Sequence, residues 1–222
     1  MTTEELDQEL LDHLAEDSVN HSYNAAARYR FLSRAYRTVM KRTRCTAVYG
    51  QTFAIAVDDN SFNLNTKLSL TGGLGCYDVI RVFYLVDSYT QIRLNPANYS
   101  SILSYRSELT GSGTYPRCFC FRRSGDTAIP YLEIYPDAVN AGSGILYMDW
   151  VKKGIDLSAS QNPITPDYAD DAIVSLAAAY IMKSMSDERW QAEMAEAQRL
   201  LHECRIQSFK EDRAKATTQI NL

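Results

Sequence analysis

A chain of 222 residues with 45% hydrophobic and 23% charged residues can bury one core, or one core and a satellite lobe, as an ordinary globular protein does. Its 23 Lys and Arg against 27 Asp and Glu leave a net charge of −4, which excludes bulk attraction to nucleic acid. No apolar run approaches the ~20 residues a bilayer-spanning helix needs, and the acidic start MTTEELDQELLDHLAED is unlike a basic-headed secretion signal, so no membrane partner is expected.

The first element is a helix. Leu6, Leu10, Leu11 and Leu14 recur at helical spacing, and Thr2 followed by Glu5 has the form of a capping box. After a break at Ser18 to Ser22, Asn24 is placed to cap a second helix that is expected to run to Cys45. From Thr46 to Val151 the hydrophobic period changes from helical to alternating. Phe53, Ile55 and Val57 alternate, Asp58-Asp59-Asn60 supplies a turn, and Phe62 and Leu64 follow as strand. Further strands are expected at Val79 to Val86, Gln91 to Leu94, Tyr115 to Arg122, Tyr131 to Tyr135 and Ile145 to Val151, with turns at Gly72-Gly73, Gly111 to Gly113, Gly125 and Gly142 to Gly144. Phe119, Phe121, Leu132 and Ile134 should point inward, alternating with Cys118, Cys120, Arg122, Glu133 and Tyr135. One helical insert is expected from Pro96 to Leu109, with the proline in its first turn.

Beyond a linker at Leu157 to Pro166 the helical period returns. Thr165-Pro166-Asp167 starts a helix whose broad apolar face carries Ile173, Val174, Leu176, Ala177, Tyr180 and Ile181. Ser186-Asp187 starts another, with the narrow seam Trp190, Met194, Ala197, Leu201 and Cys204, of which Trp190, Met194 and Leu201 are expected to be buried against Leu176, Ala177 and Tyr180. The last residues, EDRAKATTQINL, are polar and lack a face. The expected division is therefore 1–45 for the N-terminal helices, 46–151 for a β-rich, sandwich-like insertion, 152–210 for the C-terminal helices and 211–222 for a flexible tail. The class is α+β, a helical bundle built from both ends of the chain around a long β-rich insertion.

Catalysis needs convergent titratable groups, and the sequence offers few. His13, His21 and His202 are the only histidines, and no nucleophile elbow, phosphate-binding glycine loop or metal-spaced cluster occurs. Thr71 to Gly75 holds three glycines with no following Lys-Ser or Lys-Thr, and reads as a hairpin tip. The pair Cys118-Phe-Cys120 shares a strand face but has no second ligand cluster. Five irregularly spaced cysteines fit free thiols in a reducing cytoplasm. No catalytic residue, cofactor or metal is expected.

Charge is segregated, however. Residues 1–20 carry seven acids and no Lys or Arg, whereas the second helix carries seven Lys and Arg in a stretch without an acid. At ~100° per residue, Arg30, Arg34, Arg37, Lys41 and Arg44 fall in one stripe, opposite Leu32, Ala35, Tyr36 and Val39. Three readings compete for the stripe. A solvated face usually mixes signs. Phosphate contact lacks aromatic stacking partners and sits on an acidic chain. Pairing with an acidic surface fits best, within a subunit or between neighbours.

The order of segments resembles phage head-to-tail adaptor proteins of the tail-tubular type, over nearly the whole chain. The resemblance rests on the helix ending RYRFLSRAYRTVMKR, a Thr-Phe-x-Ile-x-Val strand, a strand ending Asp78-Val79-Ile80-Arg81-Val82, and a helical insert followed by Gly113-Thr-Tyr-Pro116. Tyr131-Leu-Glu-Ile-Tyr-Pro-Asp137 is similar to the family's L-x-x-Y-P-x-P segment, Ile145 to Trp150 to its strand before a linker, here Ile155-Asp-Leu157, and Tyr168-Ala-Asp-Asp-Ala-Ile-Val174 to its Y-x-D-A-I helix start. Two departures stand out: Asp137 replaces a second proline, and the acidic first helix is longer than the resemblance requires.

The resemblance implies a non-enzymatic virion protein, made in the host cytoplasm, that forms a homo-oligomeric ring (usually a dodecamer) at the head-tail junction. Such a ring docks on the portal protein, offers a platform to a downstream tail or nozzle protein, and passes genome DNA through its lumen without tight binding. It also implies that the tail residues Arg213, Lys215, Ile220 and Leu222 reach the portal, while the stripe serves a subunit or portal interface. The alternatives are another tail-completion ring protein, and a cytoplasmic nucleic-acid-binding regulator that presents the stripe to phosphates.

Overall fold

A computed structural model describes residues 1–15, 23–56, 59–70, 74–86, 90–108, 115–124, 129–136 and 144–219. The break at Ser18 to Ser22, Asp58, Asp137 and most of the glycine turns lie outside these residues. The chain is α+β and divides into two units, one of Met1–Thr46 with Lys153–Leu222 and one of Ala47–Lys152. No helix among the described residues is long and apolar enough to cross a membrane.

The helical unit starts with α1 (Thr3–Leu14), held by a complete capping box: the Thr2 hydroxyl accepts the Glu5 N–H at 3.2 Å and the Glu5 carboxylate accepts the Thr2 N–H at 2.7 Å. In α2 (Ala25–Thr43) the Asn24 side chain accepts the Ala27 N–H at 2.9 Å. This helix stops two residues short of the expected Cys45. Arg44 adopts a left-handed φ of 56°, and the Thr43 hydroxyl accepts the Cys45 N–H at 3.3 Å, giving the departing backbone a side-chain acceptor in place of a helical carbonyl. A short 3₁₀ turn at Asp167–Ala169 leads into α5 (Asp170–Ser184), and α6 spans Trp190–Gln219.

Nearly every residue of α5 from Ala172 to Met182 is buried, so its apolar surface runs around the whole helix rather than along one broad face. The other three helices cover it: Leu6 and Leu10 of α1, Leu32, Tyr36 and Val39 of α2, and Ala197, Leu201 and Cys204 of α6 join Ile173, Ala177 and Ile181 in one apolar cluster. Leu201 is buried as expected, whereas Trp190 and Met194, also expected to be buried, stay half-buried. The ring of Trp190 lies at the start of α6 under the Lys183 ammonium, 4.8 Å from its centroid. At the start of α5, Asp170 is buried and its Oδ2 accepts from the Met1 α-ammonium at 3.0 Å. Burial pushes the Asp170 carboxyl above its ordinary range, and the ammonium pulls it back in part.

The expected flexible tail from Glu211 is helix as far as Gln219. Its lack of an apolar face argues against burial but not against helicity. Glu, Arg, Ala, Lys and Gln are strong helix formers, and extending an established helix carries no nucleation cost.

The second unit contains two four-stranded sheets. One has the order β1 (Ala47–Ile55), β8 (Gly144–Lys153), β3 (Gly75–Leu85), β4 (Gln91–Arg93). The other has the order β2 (Ser61–Asn63), β7 (Ile129–Tyr135), β6 (Cys118–Ser124), β5 (Asn95–Pro96), with β5 parallel to β6. Phe53, Val82, Leu146 and Met148 from the first sheet share one core with Phe62, Phe119, Leu132 and Ile134 from the second. Between Val48 and Gln51 the β1–β8 register shifts, where Gly50 takes a φ of 77° and donates its N–H to the fully buried Asp149 Oδ1 at 3.0 Å.

Ile134 points into the core as expected, but Glu133 on the opposite face is 2% exposed rather than solvated. Helix α4 (Tyr99–Glu108) packs against β6 and β7. Beneath it the Glu133 carboxylate accepts from Arg122 Nε at 2.9 Å and Nη2 at 2.7 Å, and from the Ser61 hydroxyl at 2.9 Å. Pro96 belongs to β5, not to the first turn of α4. Leu64, expected as strand, opens the short α3 (Leu64–Lys67), whose start is tied by the Asn63 side chain accepting the Asn65 N–H at 3.0 Å.

Candidate interaction surface

Packing of α2 turns Leu32, Ala35, Tyr36 and Val39 inward, which leaves Arg30, Arg34, Arg37, Lys41 and Arg44 on the solvent side, all exposed. Arg34 stacks its guanidinium over the Tyr180 ring, 4.4 Å from the centroid. Arg37 Nη1 lies 2.6 Å from Asp156 Oδ1, an exposed pair worth at most about 1 kcal/mol. Arg30 and Lys41 have no hydrogen-bond or ion-pair partner among the described residues. Arg44 sits at the left-handed cap and so leaves the helical spacing of the other four. A shallow groove of about 280 Å³ between α2 and residues 156–158 is lined by Tyr29, Arg30, Ser33, Arg37 and Leu157.

The acidic first helix meets α2, but not through the stripe. Arg28 is buried on the inner face of α2, where its Nε and Nη2 donate to Asp7 Oδ1 and Oδ2 at 2.7 and 2.6 Å. Sequence reasoning passed over this pair, although the signal was there: Arg28 precedes Leu32 by one helical turn and Leu32 faces the core. On α1 the residues Glu4, Glu5, Gln8, Glu9 and Asp12 remain exposed.

The far part of α6 has a second feature that sequence periodicity missed. Ile206 and Phe209, 44% and 66% exposed, lie outside the buried seam Ala197, Leu201, Cys204 and Ser208. Ile206 borders an open groove of about 420 Å³ with Tyr168, Leu200, Glu203 and Cys204. Of Arg213 and Lys215 the helical backbone alone is described, and Ile220 and Leu222 lie outside the described residues.

The chain matches no family model and no curated protein sequence. What the surface does must therefore be argued from its chemistry.

One Ser–Glu–His set comes together in the helical unit. The Ser175 hydroxyl donates to Glu193 Oε1 at 2.5 Å, and His13 Nδ1 lies 3.4 Å from the same oxygen. A hydrolytic triad needs the imidazole between nucleophile and acid, so that it can take the hydroxyl proton. Here the carboxylate stands in the middle and Ser175 is fully buried, so the set is a structural link between helices. No group of three His, Cys, Asp or Glu side chains converges to hold a metal among the described residues. Cys118 donates its Sγ–H to the Tyr135 carbonyl at 3.4 Å.

Burial pushes the Cys45 and Cys204 thiols up to about 11 and the Cys76 thiol up to about 12. The thiolate is the reactive form, so these three cysteines should react slowly with a disulfide reagent at pH 8, and rapidly once guanidinium unfolds the chain. Native protein that titrates all five of its thiols at the unfolded rate would contradict the burial of these side chains.

Proposed function

We propose that this chain is a structural virion protein, a head-to-tail adaptor whose homo-oligomeric ring docks on the portal, extends the DNA channel and offers a platform for the tail. The observation that carries the reading is the exposed cationic stripe on α2. The helical core fixes it rigidly, and two of its members lack partners on their own chain among the described residues. Exposed charge of one sign on a rigid helix supports recognition of a charged protein surface. The net charge of −4 suits a lumen through which DNA must slide, because each tight phosphate contact would slow passage. The order of segments that resembles the tail-tubular adaptors supports the same reading.

A second reading keeps some support from the same residues: Arg30 and Lys41 could neutralise phosphates in a regulator that binds nucleic acid. The two part on salt dependence. A regulator binds duplex DNA with an affinity that falls steeply as salt rises, whereas an adaptor subunit hardly binds it.

Negative-stain imaging of the purified chain with and without a portal tests the proposal. Annular particles that cap the portal are expected. Portals left bare beside dispersed subunits, at concentrations well above micromolar, would overturn it.

A further inference from the structure

We propose that the stripe on α2 of one copy docks against the acidic solvent face of α1 on the next copy, so that the chain associates head to tail. The proposal rests on the ring reading above and names the two sides of its contact. Within one copy, α1 and α2 are joined through Arg28 and Asp7 on their inner faces. Their outer faces are left over with opposite charge. Arg30 and Lys41 on one, Glu4 and Glu9 on the other, have no hydrogen-bond or ion-pair partner among the described residues.

The spacing of the two faces corresponds. Arg30, Arg34 and Arg37 follow one another at intervals of four and three residues, and so do Glu5, Glu9 and Asp12. On helices both sets repeat at about 6 and 4.5 Å along the axis, so a row of cations can meet a row of acids without either helix deforming. Both rows belong to the same rigid unit, which fixes the angle between them.

Charge also limits the symmetry. A two-fold dimer that placed the stripe on itself, or α1 on itself, would set like charges opposite each other, which is repulsive. Unlike faces attract, either twice across a two-fold axis or once per copy in a heterologous series that closes into a ring or grows into a filament, and the ring reading selects the series.

Charge reversal on the full chain tests this by mass photometry and sedimentation velocity across a salt series. Arg30→Glu with Lys41→Glu reverses the two cations of the stripe without a partner among the described residues, and Glu9→Lys with Asp12→Lys reverses two exposed acids of α1. None of the four side chains lies in the core, so unchanged thermal melts are expected for each variant. Each pair of substitutions alone should weaken association at low salt by tenfold or more. All four on one chain should restore it, and so should mixing the two variants, which then alternate. Variants that assemble like the parent show the stripe to be a solvated face. A fourfold variant that stays dispersed places the contact elsewhere. Either result overturns the proposal while rings on the portal still stand. A parent chain that remains monomeric at every salt and on every portal overturns the ring reading as well.

Discussion

Replacing Arg28 by Ala should destabilise the helical unit by about 3–5 kcal/mol, among the larger effects of any single substitution in the chain. Arg28 is 4% exposed and Asp7 8%, so neither charge is solvated. The guanidinium closes a two-pronged bond on the carboxylate, and its Nη1 donates to the Tyr23 carbonyl at 2.7 Å. Truncation strands a carboxylate in the interface between α1 and α2 with its partner gone. Arg28→Lys keeps the charge but cannot form the fork, so it should recover only part of the loss. Arg28→Met together with Asp7→Leu removes both charges and should come much closer to the parent, because the desolvation cost of both ions disappears too. Urea unfolding followed by circular dichroism at 222 nm reports the helical unit. A loss below 1 kcal/mol for Arg28→Ala would mean that Asp7 reaches water once unpaired, and that the pair does not join the two helices.

The features of this fold that could be read from sequence are those set by neighbours along the chain. Thr2, Glu5 and Asn24 cap their helices through residues three positions away, so their roles are visible in a line of text. The change of hydrophobic period at Thr46 and the end of the alternating run at Val151 lie within a residue of where the two units part. Features set by distant segments were not readable. Alternation puts Glu133 on the face away from the core, which is where it lies, but its burial comes from α4, an element some thirty residues earlier. Leu64 continues an alternating run, yet the Asn63 side chain bonds the backbone two residues on and turns the chain into α3. At the C-terminus the error was of another kind. Amphipathicity reports which face a helix buries, whereas propensity and an existing helix decide whether it continues, and residues 211–219 satisfy the second criterion without the first. For the interaction surface, helical spacing placed Arg30, Arg34, Arg37 and Lys41 on the solvent side of α2, whereas Arg44, exposed too, lies past the helix end. It was silent on which of them are engaged by their own chain, because Asp156 and Tyr180 approach from far along the sequence.

Gly154→Ala is the second substitution expected to cost heavily, about 3 kcal/mol, the upper part of the range for overpacking a core. Its backbone needs no special dihedral, and the constraint is space. A Cβ on Gly154 would lie 2.2 Å from the Tyr36 Oη, 2.6 Å from its Cε1 and 2.7 Å from its Cζ. The neighbour cannot simply swing away. Tyr36 is 1% exposed among the residues of the helical core, and its Oη accepts the Ile164 N–H at 3.1 Å. Moving the ring to admit a methyl group would break that bond and open a void on its other side. Tyr36→Phe offers a control. Alone it leaves the Ile164 N–H without its acceptor, a loss of about 1–3 kcal/mol. Combined with Gly154→Ala it removes the worst of the three contacts, so the double substitution should cost at least about 0.5 kcal/mol less than the sum of the singles. The ring carbons at 2.6 and 2.7 Å remain, so stability should not return to that of Tyr36→Phe. Urea midpoints of the four proteins supply the cycle. Strict additivity, or a Gly154→Ala protein as stable as the parent, would show that Tyr36 does not press on this glycine.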